Sequence, residues 1–109
     1  MKPLVRLEQA DLDVEQALAY HAAEAPQMEL DFLDAIEKAY EHIQRHPGTG
    51  SLRYAHVLDI PGLRFSICSR FPQVGFYIER EDHIALIRVL HGSRDIPATL
   101  QDLNDPTGY

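Results

Sequence analysis

Apolar residues recur along this chain in two rhythms, and the change between them divides it into a helical half and a sheet half. Leu4 to Leu7 (Leu-Val-Arg-Leu) is a short strand candidate. Beyond it Val14, Ala17, Leu18, Ala22 and Ala25 repeat at helical spacing, and Asp13 followed three residues later by Gln16 fits a capping box. The spacing predicts a helix over about 13–24. Pro26 suits the first turn of a second helix, whose apolar positions Met28, Phe32, Ile36, Ala39 or Tyr40, and Ile43 again fall every three or four residues. That helix is expected to end near His46, where Pro47-Gly48-Thr49-Gly50 breaks the pattern and Arg45 and His46 complement the helix dipole.

After this loop the period becomes two. Leu63, Phe65 and Ile67 alternate with Arg64, Ser66 and Cys68, and Val74, Phe76 and Ile78 alternate with Gly75, Tyr77 and Glu79. Phe71-Pro72-Gln73 joins these strands as a hairpin, and Glu81-Asp82-His83 joins the second to a third, Ile84 to Leu90. The third is too continuously apolar for a face open to water, so it is expected to be central or covered on both sides. Gly92 then breaks the run, Asp95 is placed to cap a short helical turn, and Leu103 to Tyr109 reads as a frayed tail. The expected fold class is α+β: an N-terminal strand, a helical hairpin on one sheet face, a three-stranded antiparallel meander and a short C-terminal helical turn. The other sheet face and the groove beside it are expected to be open. The pattern does not fix which strand the first one joins.

Length changes this picture little, since 109 residues make one domain, here 1–109, with a single core. Charge changes it more. From Met1 to Pro47 four basic residues face ten acidic ones, whereas from Arg53 to Arg94 six arginines face four acids, so the net −7 conceals an acidic helical half and an arginine-bearing sheet half. The first reads as a solvated face; the second can meet an acidic partner. The lone Cys68 has no internal disulfide partner and reads as a packed, inert thiol. Met1-Lys2-Pro3-Leu4 lacks the apolar core of a secretory signal and no stretch is long enough to span a bilayer, so the cytoplasm is the expected compartment, with no membrane partner.

Candidate chemistry is sparse. His91, Arg94 and Asp95 lie within five positions at the end of the third strand. As a catalytic set they would supply a proton carrier, a phosphate-binding fork and an acid; the alternative is that Arg94 and Asp95 pair or cap the turn while His91 bonds backbone. The second reading is preferred, because no activated nucleophile or second base is evident, and no catalytic residue is assigned. Arg64 and Arg88 either contact a partner or lie along the sheet with their heads in solvent. His42 and His46 have the i,i+4 spacing of a shared metal but no third ligand, so no metal and no cofactor are expected. Gly48 and Gly50 flank a threonine with no following lysine, which makes them loop glycines.

The run Ile60-Pro61-Gly62-Leu63-Arg64-Phe65, then Phe71-Pro72, Val74 to Tyr77, and Arg88-Val89-Leu90-His91-Gly92-Ser93-Arg94-Asp95 resembles the sheet half of ParE-type toxins in the RelE/ParE superfamily. The hairpin ending in His46-Pro47-x-x-Gly50 is similar too, so the resemblance runs from about Leu4 to Leu100. It implies the toxin of a type II toxin-antitoxin pair, hetero-oligomeric with a ParD-like antitoxin and acting on DNA gyrase by binding, without sequence-specific recognition of nucleic acid. Arg64, Tyr77, Arg88, His91 and Arg94 are the side chains expected at the antitoxin or target surface. Two alternatives differ in class. One is a RelE-type ribosome-dependent mRNA endonuclease, whose clustered Lys, Arg and Tyr grip the phosphate; this chain has only Lys2 and Lys38, neither in the sheet half. The other is a non-toxic homologue that only binds an antitoxin. Many family members are basic, and this chain departs from them in being acidic.

Overall fold

The computed structural model describes residues 1–101; the expected tail, Leu103 to Tyr109, lies outside the described residues. The chain runs β1 (Leu4–Arg6), α1 (Glu8–Glu24), a 3-10 turn at Pro26–Met28, α2 (Glu29–Arg45), a second 3-10 turn at Pro47–Thr49, α3 (Arg53–Val57), β2 (Leu63–Ile67), β3 (Gln73–Glu79), β4 (Ile84–His91) and α4 (Ile96–Leu100). This is the expected order of strand, helical hairpin, meander and C-terminal turn. The four strands form one sheet in the order β1-β4-β3-β2, antiparallel except for β1, which pairs parallel to β4 through Leu4↔Ile84, Val5↔Ala85 and Arg6↔Leu86. The question left open by the pattern is thus answered by a closure of the chain: its first strand lies beside its last. Among the described residues no helix is long and apolar enough to cross a membrane.

β4 is both central and covered on both faces, as its unbroken apolar run requires. On one side Ile84, Leu86 and Val89 pack with Ala10 of α1, Phe32, Ile36 and Ile43 of α2, and Tyr77. On the other, Ile87 and Leu90 join Leu63, Phe76 and Ile78 under Ala55 of α3 and Ile96 and Leu100 of α4. The second face is therefore not the open surface the sequence suggested. Short helices cover it, and they are hard to read from periodicity because five residues make barely more than one turn. The turn into α4 is capped as expected, the Ala98 N–H donating to Asp95 Oδ1 at 3.3 Å.

A bulge sets the phase of β4. Pairing with β3 steps from Phe76↔Arg88 to Tyr77↔Leu86, which leaves Ile87 as the extra residue. Ile84 and Leu86 face the helices before the step and Val89 does so after it, which a strict alternation would not allow.

The expected helix start at Asp13 is corrected. α1 begins at Glu8, with Glu8 and Asp11 in its first turn, and Asp13 sits inside it facing the sheet. Its carboxylate caps nothing in its own helix. Arg88 Nε donates to Oδ2 at 2.8 Å and Arg88 Nη2 to Oδ1 at 3.0 Å, a two-pronged pair whose side chains are only 17% and 6% exposed. The Val89 N–H donates to the same Oδ2 at 3.0 Å. Because β1 pairs only as far as Leu86, the edge of β4 beyond it has no strand, and Asp13 supplies the acceptor that a longer β1 would have given.

Removing either partner leaves a buried charge without its counter-ion, so Asp13→Ala and Arg88→Ala should each cost about 3–5 kcal/mol. That is a large share of the ~5–15 kcal/mol by which such domains are stable. Urea unfolding followed by circular dichroism should show both singles shifted to lower midpoints and the double variant losing clearly less than their sum.

Candidate protein-binding surface

The five side chains expected at a partner surface do not converge. Arg64 and Tyr77 face each other across β2 and β3 and close on the 47–50 loop. The Tyr77 hydroxyl donates to the Pro47 carbonyl at 2.7 Å and Arg64 Nη1 to the Gly50 carbonyl at 2.7 Å. Tyr77 is 1% exposed. Burial pushes its phenol above the ordinary value, outweighing the lowering effects of the Gly50 backbone and Arg64. These two side chains latch the loop that follows α2 onto the sheet. Gly50 is the residue that lets them: a Cβ there would overlap the Tyr77 hydroxyl and sit 3.0 Å from Arg64 Cβ. Gly50 is extended (φ −66), so space and not backbone freedom selects glycine.

Arg88 is equally committed, through Asp13 on α1. Only His91 and Arg94 are exposed and share a neighbourhood, the Arg94 N–H donating to the His91 carbonyl at 3.0 Å across the tight turn after β4. The Ser93 N–H, which can only donate, points at His91 Nδ1 at 3.1 Å, and Ser93 Oγ lies 2.7 Å from the same nitrogen. Neutral His91 therefore carries its hydrogen on Nε2.

His91 and Arg94 stand at the mouth of a cleft of about 370 Å³ between α1 and the adjoining ends of β3 and β4. Gln16, Ala17, Tyr20 and His21 of α1 form one wall, and Gln73 and Val89 lie on the other side. Among the cleft residues of α1, Ala17 belongs to the apolar repeat and Gln16 to the capping-box pattern, while Tyr20 and His21 lie beside the stripe and carry no signal in the sequence. His21 also meets Phe32 and Phe71, with ring centroids 4.8 and 5.5 Å away.

Burial raises the Cys68 thiol pKa, which suits a packed side chain. The His42 and His46 rings lie 5.4 Å apart, and among the described residues no three His, Cys, Asp or Glu gather as a metal site.

Residues 5–96 match the family described as "ParE toxin of type II toxin-antitoxin system, parDE". The chain belongs to the ParE toxin family. Among solved structures, a chain of the "Chromosomal ParDE TA system from P. aeruginosa" superposes with a TM-score of 0.70 at 18% identity, covering 84% of this chain and 96% of that one, so the fold is shared across a wide sequence distance. No curated protein matches the chain. For a ParE-family protein the geometry has a plain meaning: the fold absorbs Tyr77, Arg64 and Arg88, and leaves His91 and Arg94 at the surface.

Gly50→Ala should destabilise by about 1–3 kcal/mol through overpacking against Tyr77, and Tyr77→Phe by ~1 kcal/mol through the lost hydrogen bond. The double variant should recover part of the glycine loss, read from urea midpoints. A pH scan tests the buried phenols separately. Tyr40 is pushed by burial from 10.0 up to about 12, and Tyr77 shifts the same way. The folded state thus keeps protons that the unfolded state releases near pH 10, so stability is complete below that pH and falls as pH rises towards 12. Phenolate absorbance should show Tyr40 and Tyr77 titrating together with unfolding.

Proposed function

We propose that this chain is the toxin of a type II toxin-antitoxin pair, neutralised in a stoichiometric hetero-complex by a ParD-like antitoxin. It acts in the cytoplasm by binding DNA gyrase, without cutting RNA. The observation that carries binding over catalysis is the commitment of Arg64, Tyr77 and Arg88 to intramolecular partners. Phosphodiester cleavage needs a base or acid within reach of the substrate and a cation free to hold the phosphate. The Tyr77 hydroxyl points inward and burial makes it a poorer acid, while Arg88 is neutralised by Asp13. His91 and Arg94 alone supply a donor and a charge, which suits a contact surface better than an acid-base pair.

Binding is sufficient for such a toxin. A topoisomerase poison has only to favour one state of its target, and it does so by its difference in affinity for the two states. The ParDE origin of the structural neighbour supports an antitoxin partner for this chain. The acidic balance of its helical half supports protein over nucleic acid as the ligand, since phosphate is repelled there.

Coexpression with the gene beside it should yield a stable complex on purification, and recovery of free monomer alone would count against an antitoxin partner. Purified toxin should inhibit gyrase supercoiling or trap its cleaved complex, and should leave mRNA intact on translating ribosomes. Codon-positioned mRNA cuts with untouched gyrase would replace this reading with the RelE-type endonuclease. Inactivity in both assays, with the antitoxin still bound, would mark a homologue that has kept its partner and lost its target.

A further inference from the structure

The C-terminal turn of α2 carries two imidazoles that the fold itself does not use. His42 and His46 are both exposed, and among the described residues neither side chain makes a hydrogen bond or an ion pair. Their ring contact is with each other, the centroids 5.4 Å apart and the planes 48° to one another. The backbone holds this spacing. The His46 N–H donates to the His42 carbonyl at 2.9 Å, which keeps the two residues one helical turn apart on one face. Beyond that turn the His46 carbonyl accepts from the Thr49 N–H at 3.1 Å and from Thr49 Oγ at 2.7 Å, while Tyr77 holds the Pro47 carbonyl. The chain is thus fixed on both sides of His46.

From this geometry we propose that His42 and His46 form a chelating site for one divalent transition-metal ion of the zinc, nickel and copper class. Imidazole binds such ions at about 2.0–2.1 Å, and two rings on one ion at a tetrahedral angle have their centres roughly 5 Å apart, which the observed separation matches. Closing on the ion then asks only for side-chain rotation. The expectation of no metal came from the want of a third protein ligand, yet two imidazoles suffice for a chelate whose remaining positions are filled by water. What the missing ligand costs is affinity, so the ion is exchangeable. The partial negative charge at the end of α2 adds to the attraction for a cation. Nitrogen donors also set the class, because magnesium and calcium are hard ions that take oxygen ligands. Bound there, the ion ties the last turn of α2 to the residue that enters the latched 47–50 loop, and it stabilises the folded chain as its occupancy rises.

The test titrates the untagged, ¹⁵N-labelled full chain with zinc chloride and, separately, with magnesium chloride, following heat and amide shifts. Zinc should bind saturably at one ion per chain, with shifts centred on His42 and His46 and spreading into the 47–50 loop. Magnesium should shift nothing there. His42→Ala and His46→Ala should each weaken zinc binding by at least about tenfold, while His56→Ala, at an exposed histidine of α3, should leave it unchanged. A spacing control keeps the number of histidines: Glu41→His combined with His42→Ala sets the pair five residues apart, off a common face, and should bind as weakly as His42→Ala alone. Circular dichroism without metal should show each variant folded, and His42→Gln and His46→Asn replace the alanine variants wherever alanine unfolds the chain. Zinc that fails to saturate below millimolar concentration, shifts centred on other histidines, full binding in both single variants, recovery by the displaced histidine, or equal binding of magnesium would each overturn the proposal.

Discussion

One carboxylate holds the two halves of this protein in register. Asp13 reaches from α1 to β4 across 75 residues of sequence, pairs with Arg88 by two prongs and accepts the Val89 N–H besides. The cost of burying two charges is met only because every near lone pair has a donor. The pair does what hydrophobic packing cannot, since apolar contacts are non-directional and tolerate sliding. It fixes where along β4 the helix sits, at the place where the bulge has changed the strand's phase and β1 has run out. The cleft depends on this placement, because one of its walls is the next two turns of the same helix.

A second constraint acts on the same face of the sheet, at β2 and β3. Tyr77 and Arg64 pin the backbone of the 47–50 loop, and the absence of a side chain at Gly50 makes room for the phenol. Two of the family-like features of the sequence, the glycine after His46-Pro47 and the tyrosine in the second strand of the meander, are thus two ends of one contact. Their role is architectural, and of the five side chains expected at a partner surface only His91 and Arg94, in the turn after β4, remain exposed.

Much of the fold was legible because period changes are physical: helical spacing marks one buried stripe, and alternation marks a pleated surface. The helix boundary at Asp13 failed because a capping-box pattern and a buried acid look alike in sequence, and only the partner 75 residues away tells them apart. Arg88 did carry a signal. A lone charge inside a strand covered on both faces needs a buried counter-ion, but ten acids in the helical half left the choice open. The resemblance put Tyr77 at a partner surface, and alternation could not correct this, because it says which residues share a face and not whether both faces are covered. α3 went unresolved because it is too short to show a period, whereas the equally short α4 was legible from its cap at Asp95. Of the candidate surface, the His91 and Arg94 turn was legible, while the meeting of the α1 flank with the ends of β3 and β4 depends on packing that no local pattern encodes.

The parallel pairing of β1 with β4 also dictates when this protein can be finished. Both the first strand and the acid of α1 wait for partners between Ile84 and Val89, so the helical hairpin emerging from the ribosome cannot dock its apolar stripe on β4 until those residues have been made. At about 5–20 residues per second, synthesis leaves that stripe exposed for several seconds. During that interval Phe32, Ile36 and Ile43 are available to whatever chaperone or neighbouring chain is at hand. A toxin built this way becomes competent only once β4 has been translated, and a product that stops before β4 lacks the strand that both faces of the sheet pack around.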